Sequence, residues 1–281
     1  MIGGMNRQTI EQRLETVVRN NRPTIALTFP LVGVALLIGG HENVIPAWLA
    51  FNPYLIVIAA SIMALPLIAG LAPLIDRRAA AGLALLALFA WGIELVGVNT
   101  GFPYENFSYQ LHLGPMLFGD VPLALPVFYF PILIDGYLLA VLALGGFAER
   151  VPVRYPAVIG AVVGLDLILD PGAVALNFWG WAEPGAYYGI PAMNFVGWVL
   201  SGSVAVGLLH VFFDHDALVD RLEQCEFFLD DLINFVLFWG AVNLYFGHLG
   251  PALLAGIVLL GLFRVEWFDF AGLAGRQTVK K

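Results

Sequence analysis

Long apolar runs alternate with short polar segments along most of the chain. The runs cover residues 24–40, 54–75, 79–98, 121–144, 156–176, 193–213, 227–245 and 249–263. Most of them approach the roughly 20 residues that a helix needs to cross a hydrocarbon core of about 30 Å. The pattern therefore predicts an all-α, polytopic membrane protein, a bundle of eight transmembrane helices. Four prolines inside the runs are expected to kink their helices: Pro30, Pro66, Pro126 and Pro131.

The basic residues predict an orientation. All 13 lysines and arginines precede the first run or follow the second, fourth, sixth or eighth, which places them on one side of an eight-helix arrangement. Basic residues collect on the cytoplasmic side, so both termini are predicted to be cytoplasmic. Seven helices would scatter these charges over both sides. The predicted organisation is an amphipathic segment at 1–23, one transmembrane domain at 24–263 and a cytoplasmic tail at 264–281.

The composition excludes several classes of protein. A chain that is 60% hydrophobic and 12% charged, with a mean hydropathy of +0.84, is not an ordinary soluble domain. The expected location is the cell membrane, with multiple passes. A net charge of −8 without a basic patch does not favour nucleic-acid binding. A single cysteine, Cys225, excludes an intramolecular disulfide and a zinc site built from cysteines.

An acidic segment follows the sixth run. It is predicted to be a helical, solvated surface on the cytoplasmic side and contains Asp214, Asp216, Asp220, Glu223, Glu226, Asp230 and Asp231.

Carboxylates also lie inside the apolar runs. Asp166 and Asp170 are four residues apart, so a helix directs both side chains to one face. Glu94 lies near the outer end of its run, Asp135 lies near the middle of its run, and Asn194 lies on the outer approach. An ionised carboxylate at the bilayer centre costs at least about 2.5–3.5 kcal/mol, so such groups generally face a bundle interior or a wet cavity. A pair that merely holds two helices together is the structural alternative.

This set of residues suits acid–base chemistry on an alkene. A carboxylic acid removed from water can stay protonated and act as a general acid, and a second carboxylate can accept a proton from water. Aromatic faces stabilise a developing cation, although interfacial belts are rich in the same residues. The aromatic candidates are Trp91, Tyr104, Trp179, Trp181, Tyr187, Tyr188 and Trp198. Together these residues predict protonation of an alkene and capture of the carbocation by water.

Two other membrane chemistries are less well matched. Asp166 and Asp170 resemble half of the aspartate pair with which membrane prenyltransferases hold magnesium diphosphate, but the sequence contains no second motif of that kind. Membrane di-iron hydroxylases need many histidines at short helical spacing, and only five histidines occur here. No metal site is predicted, since no histidine or cysteine cluster has ligand spacing.

A series of short motifs resembles the membrane carotenoid hydratases. They run in order from about residue 91 to 202 and comprise Glu94-Leu-Val-Gly-Val-Asn-Thr-Gly-Phe-Pro-Tyr104, Tyr109, Leu113-Gly-Pro115, Gly119-Asp-Val-Pro122, Asp166-xxx-Asp170-Pro171, Trp179-Gly-Trp181, Tyr187-Tyr-Gly-Ile-Pro191 and Asn194-Phe-xx-Trp198. The family motif usually has glycine after the Pro–aromatic pair, whereas Glu105 stands there in this sequence.

The resemblance implies a carotenoid hydratase, a hydro-lyase that adds water to the terminal double bond of a carotenoid end group without a cofactor. Archaeal members convert bisanhydrobacterioruberin to bacterioruberin, and the acidic segment favours that branch. Asp170 or Asp166 is the expected acid, and Glu94 is the expected base or water-orienting group. Substrate contacts are expected from Asp135, Asn194, Tyr104, Trp179, Trp181, Tyr188 and Trp198. Expected partners are a carotenoid within the bilayer and other membrane enzymes of its pathway. An ion-coupled transporter and a carotenoid-binding protein remain alternatives.

Overall fold

The computed structural model describes residues 6–265 and 269–272. Most of the predicted tail at 264–281 therefore lies outside the described residues. The helices are α1 (Arg7–Pro23), α2 (Phe29–His41), α3 (Ala47–Ala50), α4 (Pro53–Met63), α5 (Leu65–Leu71), α6 (Arg77–Thr100), α7 (Leu125–Leu144), α8 (Val151–Ala175), α9 (Ala192–Phe212), α10 (His215–Gln224), α11 (Asp230–Tyr245) and α12 (Leu249–Phe263). The strands are β1 (Phe107–Tyr109), β2 (Met116–Leu117), β3 (Val121–Pro122) and β4 (Trp179–Trp181).

Each predicted apolar run forms helix over most of its length. A π-helical turn at Thr24–Thr28 joins α1 to α2, so that Arg7–His41 is one long helix. Among the described residues, five helices are long and apolar enough to cross a membrane, and the bent pair made by α3–α4 and α5 would be a sixth. The chain is therefore a mostly helical, polytopic membrane protein. Helices α11 and α12 are shorter, with 16 and 15 residues.

The bend in the second apolar run lies where a proline interrupts the helix. Helices α4 and α5 meet at 47° around Ala64, and Pro66 cannot donate the backbone hydrogen bond that would continue the helix. Asn234 of α11 donates from Nδ2 to the carbonyl of Met63, the last residue of α4, at 2.7 Å. The predicted kink at Pro66 is thus confirmed. Pro126 lies in the first turn of α7, where proline starts a helix rather than bending one.

The acidic segment is only partly a solvated surface. Asp214 caps α10, and its carboxylate accepts from the backbone nitrogens of Asp216 and Ala217. Asp230 and Asp231 are buried, and Asp230 forms an ion pair with Arg22 at 2.7 Å. The prediction of a solvated face was wrong for these two residues. The chain turns inward at 227–229, which is buried, and α11 begins at the ion pair between Asp230 and Arg22 of α1. A run of acids in the sequence does not show that turn.

Helix α8 lies at the centre of the bundle and packs against α7, α9, α11 and α12. Leu165 and Ile168 on this helix are fully buried. Gly136 allows α7 to approach closely, since a Cβ at that position would lie 2.7 Å from Cγ2 of Val162. The helix that carries Asp166 and Asp170 is therefore fixed on several sides by the core.

Short strands cover one end of the bundle. Strand β1, between α6 and α7, pairs antiparallel with β4, between α8 and α9, so that Phe107 faces Trp181 and Tyr109 faces Trp179. Strands β2 and β3 form a small hairpin nearby. We call this end, where α6 and α8 finish, the loop end. The pairing brings two distant parts of the sequence, both rich in aromatic residues, over the end of α8.

Candidate active site

Two buried carboxyl groups on α8 share one amide partner. Asn194, in the first turn of α9, donates from Nδ2 to Oδ2 of Asp170 at 2.7 Å and to Oδ2 of Asp166 at 3.3 Å. All three side chains are buried. The predicted common face of Asp166 and Asp170 is confirmed, and the amide holds the two carboxyl groups together.

Hydrogen bonds from other parts of the fold also fix the backbone of α8 between Asp166 and Asp170. Pro171 has no N–H, so the helix offers no donor to the carbonyl of Leu167. The hydroxyl of Tyr187 donates to that carbonyl at 3.0 Å. On another side, Asn243 of α11 donates to the carbonyl of Ile168 at 2.7 Å. The turn that separates Asp166 from Asp170 is therefore fixed by two side chains from other parts of the fold.

The two carboxyl groups have different surroundings. Trp179 of β4 donates from Nε1 to Oδ1 of Asp170 at 3.2 Å, which gives Asp170 two donors. Asp166 accepts only from Asn194, and its Oδ1 has no hydrogen-bond partner among the described residues. Asp170 lines a cavity, whereas Asp166 lies behind it. The two carboxyl groups interact electrostatically, and one amide bonds to both of them.

A third buried carboxyl group faces the same cavity from α6. Glu94 accepts at Oε2 from the hydroxyl of Tyr109 at 3.0 Å, and it interacts electrostatically with Asp170. Tyr104 and Tyr129 are buried, and the hydroxyl of each interacts with the side chain of Ser201 on α9. Both tyrosines line the cavity. This part of the cavity therefore presents a carboxyl group and two tyrosine side chains to a ligand.

Aromatic rings surround the carboxyl groups. Trp198 stacks on Tyr129 with ring centroids 5.5 Å apart, and it also contacts Tyr104. Trp181 donates from Nε1 to the backbone carbonyl of Tyr104 at 2.8 Å. Gly197 makes room for the ring of Tyr104, since a Cβ at position 197 would lie 2.5 Å from Cδ1 of that ring. Aromatic faces next to buried acids suit a reaction that passes through a cation.

The cavity has a volume of about 280 Å³ and mostly apolar walls. Near the loop end it is lined by Glu94, Asp170 and Asn194. Leu36, Leu49 and Leu55, from α2, α3 and α4, line its other side and are partly exposed at the surface of the bundle. The cavity therefore leads from the apolar side of the bundle to the buried carboxyl groups.

Comparison with known proteins identifies the family. The model of the carotenoid biosynthesis protein family matches residues 51–262. The chain belongs to the carotenoid biosynthesis protein family. One relative, named bisanhydrobacterioruberin hydratase, from Haloarcula japonica, is 48% identical over 258 residues, which cover 92% of this chain and 88% of the relative. No solved structure matches the chain. The resemblance that the sequence motifs indicated is confirmed.

Most site residues predicted for this family member meet at the cavity. The lining includes Glu94, Asp170, Asn194, Tyr104, Trp179, Trp181 and Trp198. Tyr188 lies elsewhere, with its ring 4.5 Å from that of His248, and Asp135 lies beside Asp231 of α11. Neither Tyr188 nor Asp135 is part of the cavity lining, and their contact with substrate stays a prediction.

The structure adds four residues to the site that the sequence did not single out as substrate contacts. Tyr109 bonds to Glu94, Tyr129 stacks on Trp198, and Asp231 and Asn234 line the cavity. Tyr109 lies within the family motifs, so the sequence did point to this residue. Tyr129 stands in an ordinary apolar run, and Asp231 stands in a run of acids, so the sequence carried no signal for either.

Glu105 lies outside the cavity lining and is exposed. Its φ of +68° is in the left-handed region, which favours glycine. The backbone of this turn therefore explains why the family motif has glycine at the position where this chain has glutamate.

Proposed function

We propose that this protein is a carotenoid hydratase, which adds water to the terminal carbon–carbon double bond of a carotenoid end group to give a tertiary alcohol. The family match supports a role in carotenoid biosynthesis, and the relative's name supplies bisanhydrobacterioruberin as the expected substrate. The observation that carries the proposal is an apolar cavity in which Asp170 and Glu94 are the buried carboxyl groups nearest the loop end.

Asp170 is the proposed proton donor because it lines the cavity and Asp166 does not. The Asp170 carboxyl group gives its proton to the less substituted alkene carbon, so that the positive charge develops on the carbon that bears the methyl groups. The π bond supplies the electrons of the new C–H bond. The rings of Trp179 and Trp198 line the same cavity and would stabilise the tertiary cation.

Water then forms the C–O bond, and its surplus proton passes to Glu94, which acts as general base. The reaction has no net proton change, so the proton on Glu94 must return to Asp170. The two groups interact electrostatically across the cavity, and water between them can carry that proton. Asp166 and Asn194 hold Asp170 in position and provide a second place for the proton.

The end group would occupy the cavity beside the acids, and the polyene would remain outside it. The partly exposed leucines from α2, α3 and α4 lie where the polyene would leave the cavity for the lipid. The substrate thus reaches the acids from within the bilayer, and the protein does not need to extract it.

We also propose that all eight apolar segments cross the cell membrane and that both termini are cytoplasmic. The one-sided distribution of lysine and arginine supports this arrangement. It places the loop end, with the β1–β4 pair and Asp170, toward the outer face. The short helices α11 and α12 would cross where α11 packs against α2 and α8, and α12 packs against α8 and α11. Association with other membrane enzymes of the pathway is a further expectation.

The decisive experiment uses ¹⁸O-labelled water. Purified protein is incubated with bisanhydrobacterioruberin, without oxygen and with a chelator, and the product is examined by mass spectrometry. We expect a gain of one labelled water for each end hydrated, with the hydroxyl on the carbon that bears the methyl groups. A requirement for dioxygen or for an added metal would move the protein to another reaction class. An ion-coupled transporter, which the carboxylates alone would also allow, would leave the carotenoid unchanged.

A further inference from the structure

The end of α11 reaches the part of α8 that carries the acids. Asn243, in the last turn of α11, is fully buried, and its Nδ2 donates to the carbonyl of Ile168 at 2.7 Å. Ile168 lies between Asp166 and Asp170 in the sequence. A side chain of α11 is therefore bonded to the backbone turn that separates the two carboxyl groups.

The hydrogen bonds of Asn243 determine how its amide is oriented. Nδ2 also donates to the carbonyl of Trp239, one turn earlier in α11, at 2.8 Å. Oδ1 faces Nδ1 of His248 at 3.2 Å. Since an amide oxygen can only accept, Nδ1 of His248 must carry the hydrogen of this bond. The ring of His248 thus fixes which side of the amide faces α8.

His248 is itself held at the loop end. Its backbone nitrogen donates to the carbonyl of Asn243 at 2.8 Å, and its ring lies 4.5 Å from the ring of Tyr188. Tyr188 packs edge-on against Tyr187, with ring centroids 5.0 Å apart, and the hydroxyl of Tyr187 donates to the carbonyl of Leu167. Ring contacts therefore connect the two side chains that bond to neighbouring carbonyls of α8.

Packing alone does not explain an amide between α11 and α8. Gly172 already lets the two helices approach closely, since a Cβ there would lie 3.0 Å from Cε3 of Trp239 and 3.1 Å from Cγ1 of Val242. An apolar side chain at position 243 would fill the same kind of space without the cost of burying a polar group. The amide is explained by the carbonyl of α8 that it binds.

We propose that Asn243 and His248 are positioning residues for the proton donor. Neither is part of the cavity lining in the described chain, so they act on Asp170 through the backbone of α8. A displacement of about 1 Å near a reacting group can lower a rate on the order of a hundredfold, and the Asp170 carboxyl group must meet one particular alkene carbon. The amide and the ring therefore raise the rate of protonation without touching the substrate. This role rests on the proposed function, since it requires Asp170 to be the donor.

The test compares variants of the two residues in steady-state hydration of bisanhydrobacterioruberin. Asn243→Leu removes the amide, and His248→Leu removes the ring nitrogen that orients it. His248→Asn is the conservative variant, because the amide of asparagine can donate from the place of Nδ1. Tyr155→Phe is the matched control, since it removes a bond from near the start of α8 to the carbonyl of Ser203 on α9. Melting temperatures in detergent check that each variant is folded.

We expect Asn243→Leu to lower kcat about tenfold, the effect of one good hydrogen bond, and to leave KM nearly unchanged. His248→Leu should lower kcat about threefold, and His248→Asn should keep it near the wild-type value. The solvent deuterium isotope effect on kcat should rise in both leucine variants, because proton transfer from Asp170 becomes slower relative to the later steps. Tyr155→Phe should lower the melting temperature and leave kcat and the isotope effect unchanged.

Other outcomes count against this role. A fall in kcat with Tyr155→Phe as large as with Asn243→Leu would mean that any loosened contact of α8 slows the enzyme. An isotope effect that stays at the wild-type value would separate Asn243 from proton transfer. Equal losses in His248→Leu and His248→Asn would show that Nδ1 does not orient the amide, and this pair alone decides if Asn243→Leu does not fold.

The same assay distinguishes failure of the positioning role from failure of the proposed function. If wild type forms no alcohol from the carotenoid, the proposed function is refuted and the positioning role with it. If wild type forms the alcohol and the variants of Asn243 and His248 match it in kcat, only the positioning role is refuted.

Discussion

Asp170 has more contacts with its surroundings than the other carboxyl group on α8. It receives hydrogen bonds from Asn194 and Trp179 and faces the cavity, whereas Asp166 receives one bond from Asn194 and stands behind. If Asp170 is the proton donor, Asp170→Asn should lower kcat at least about a hundredfold, the lower end of what general acid catalysis contributes. Asparagine keeps the shape of the side chain and cannot supply the proton.

Kinetic assays of membranes that contain equal amounts of each variant would measure this effect. Asp166→Asn should also lower kcat, because Asp166 shares the amide of Asn194 with Asp170 and the substitution would disturb that amide. Asp220→Asn is the matched control on the exposed side of α10 and should behave like wild type. Activity near the wild-type level in both Asp166→Asn and Asp170→Asn would move the donor role to Glu94.

Glu105 offers a prediction about backbone strain rather than catalysis. A side chain at φ +68° costs roughly 1 kcal/mol relative to glycine in the left-handed region. Glu105→Gly should therefore raise the melting temperature in detergent by a few degrees and leave activity unchanged. Glu105→Ala is the control, since it removes the carboxylate and keeps the strained Cβ. A gain with alanine as large as that with glycine would mean that the charge, and not the backbone, is unfavourable.

At the residue scale the sequence was informative where the spacing of residues along a helix determines which face their side chains share. Four-residue spacing on a helix placed Asp166 and Asp170 on one face, and the family motifs located Glu94, Asn194 and the tryptophans. It was misleading for Asp231. Acids at the end of a polar segment look solvated, and their burial depends on where neighbouring helices lie in three dimensions.

At the scale of single elements, α8 shows how a helix is held where its own hydrogen bonds fail. Pro171 leaves the carbonyl of Leu167 without a helical donor, and Tyr187 supplies one. Tyr187→Phe should lower stability by about 1 kcal/mol, because a buried carbonyl loses its partner. It should also lower kcat modestly, since the turn that carries Asp170 is then less well fixed.

Thermal melting in detergent and steady-state kinetics would measure both effects. Tyr54→Phe is a suitable control, because Tyr54 at the start of α4 is exposed and lies outside the cavity lining. If the two variants behave alike, the bond from Tyr187 to Leu167 does not hold the turn.

The elements themselves differ in how well the sequence predicts them. Apolar runs of about twenty residues became helices, and the proline at 66 marked the break between α4 and α5. The short strands were not predicted, because β1 and β4 are 70 residues apart and only three residues long. Their pairing depends on the way in which α6 and α8 bring their ends together, and local sequence does not carry that information.

Five buried polar side chains of the molecule lie along one internal cavity. Glu94, Asp170 and Asn194 lie at the loop end, and Asp231 and Asn234 lie deeper in the bundle. The lipid would reach the cavity beside the partly exposed leucines of α2, α3 and α4. Such an arrangement lets a hydrocarbon substrate enter from the bilayer while the acids stay away from it. Which face of the membrane lies nearer to Asp170 depends on the topology of the chain.

Eight crossings with both ends inside predict where reporters should lie. A reporter that is active only outside the cytoplasm should be active after truncation and fusion at position 110 or 184, which lie in the loops at the loop end. It should be inactive at position 146 and at the C-terminus, because both lie on the side that carries the lysines and arginines. Activity at 110 and 184 together with activity at the C-terminus would remove one crossing, with α11 and α12 as the candidates because of their length. Activity at 146 instead of 110 would invert the protein and place Asp170 near the cytoplasmic face, so that the water for hydration would come from the cytoplasm.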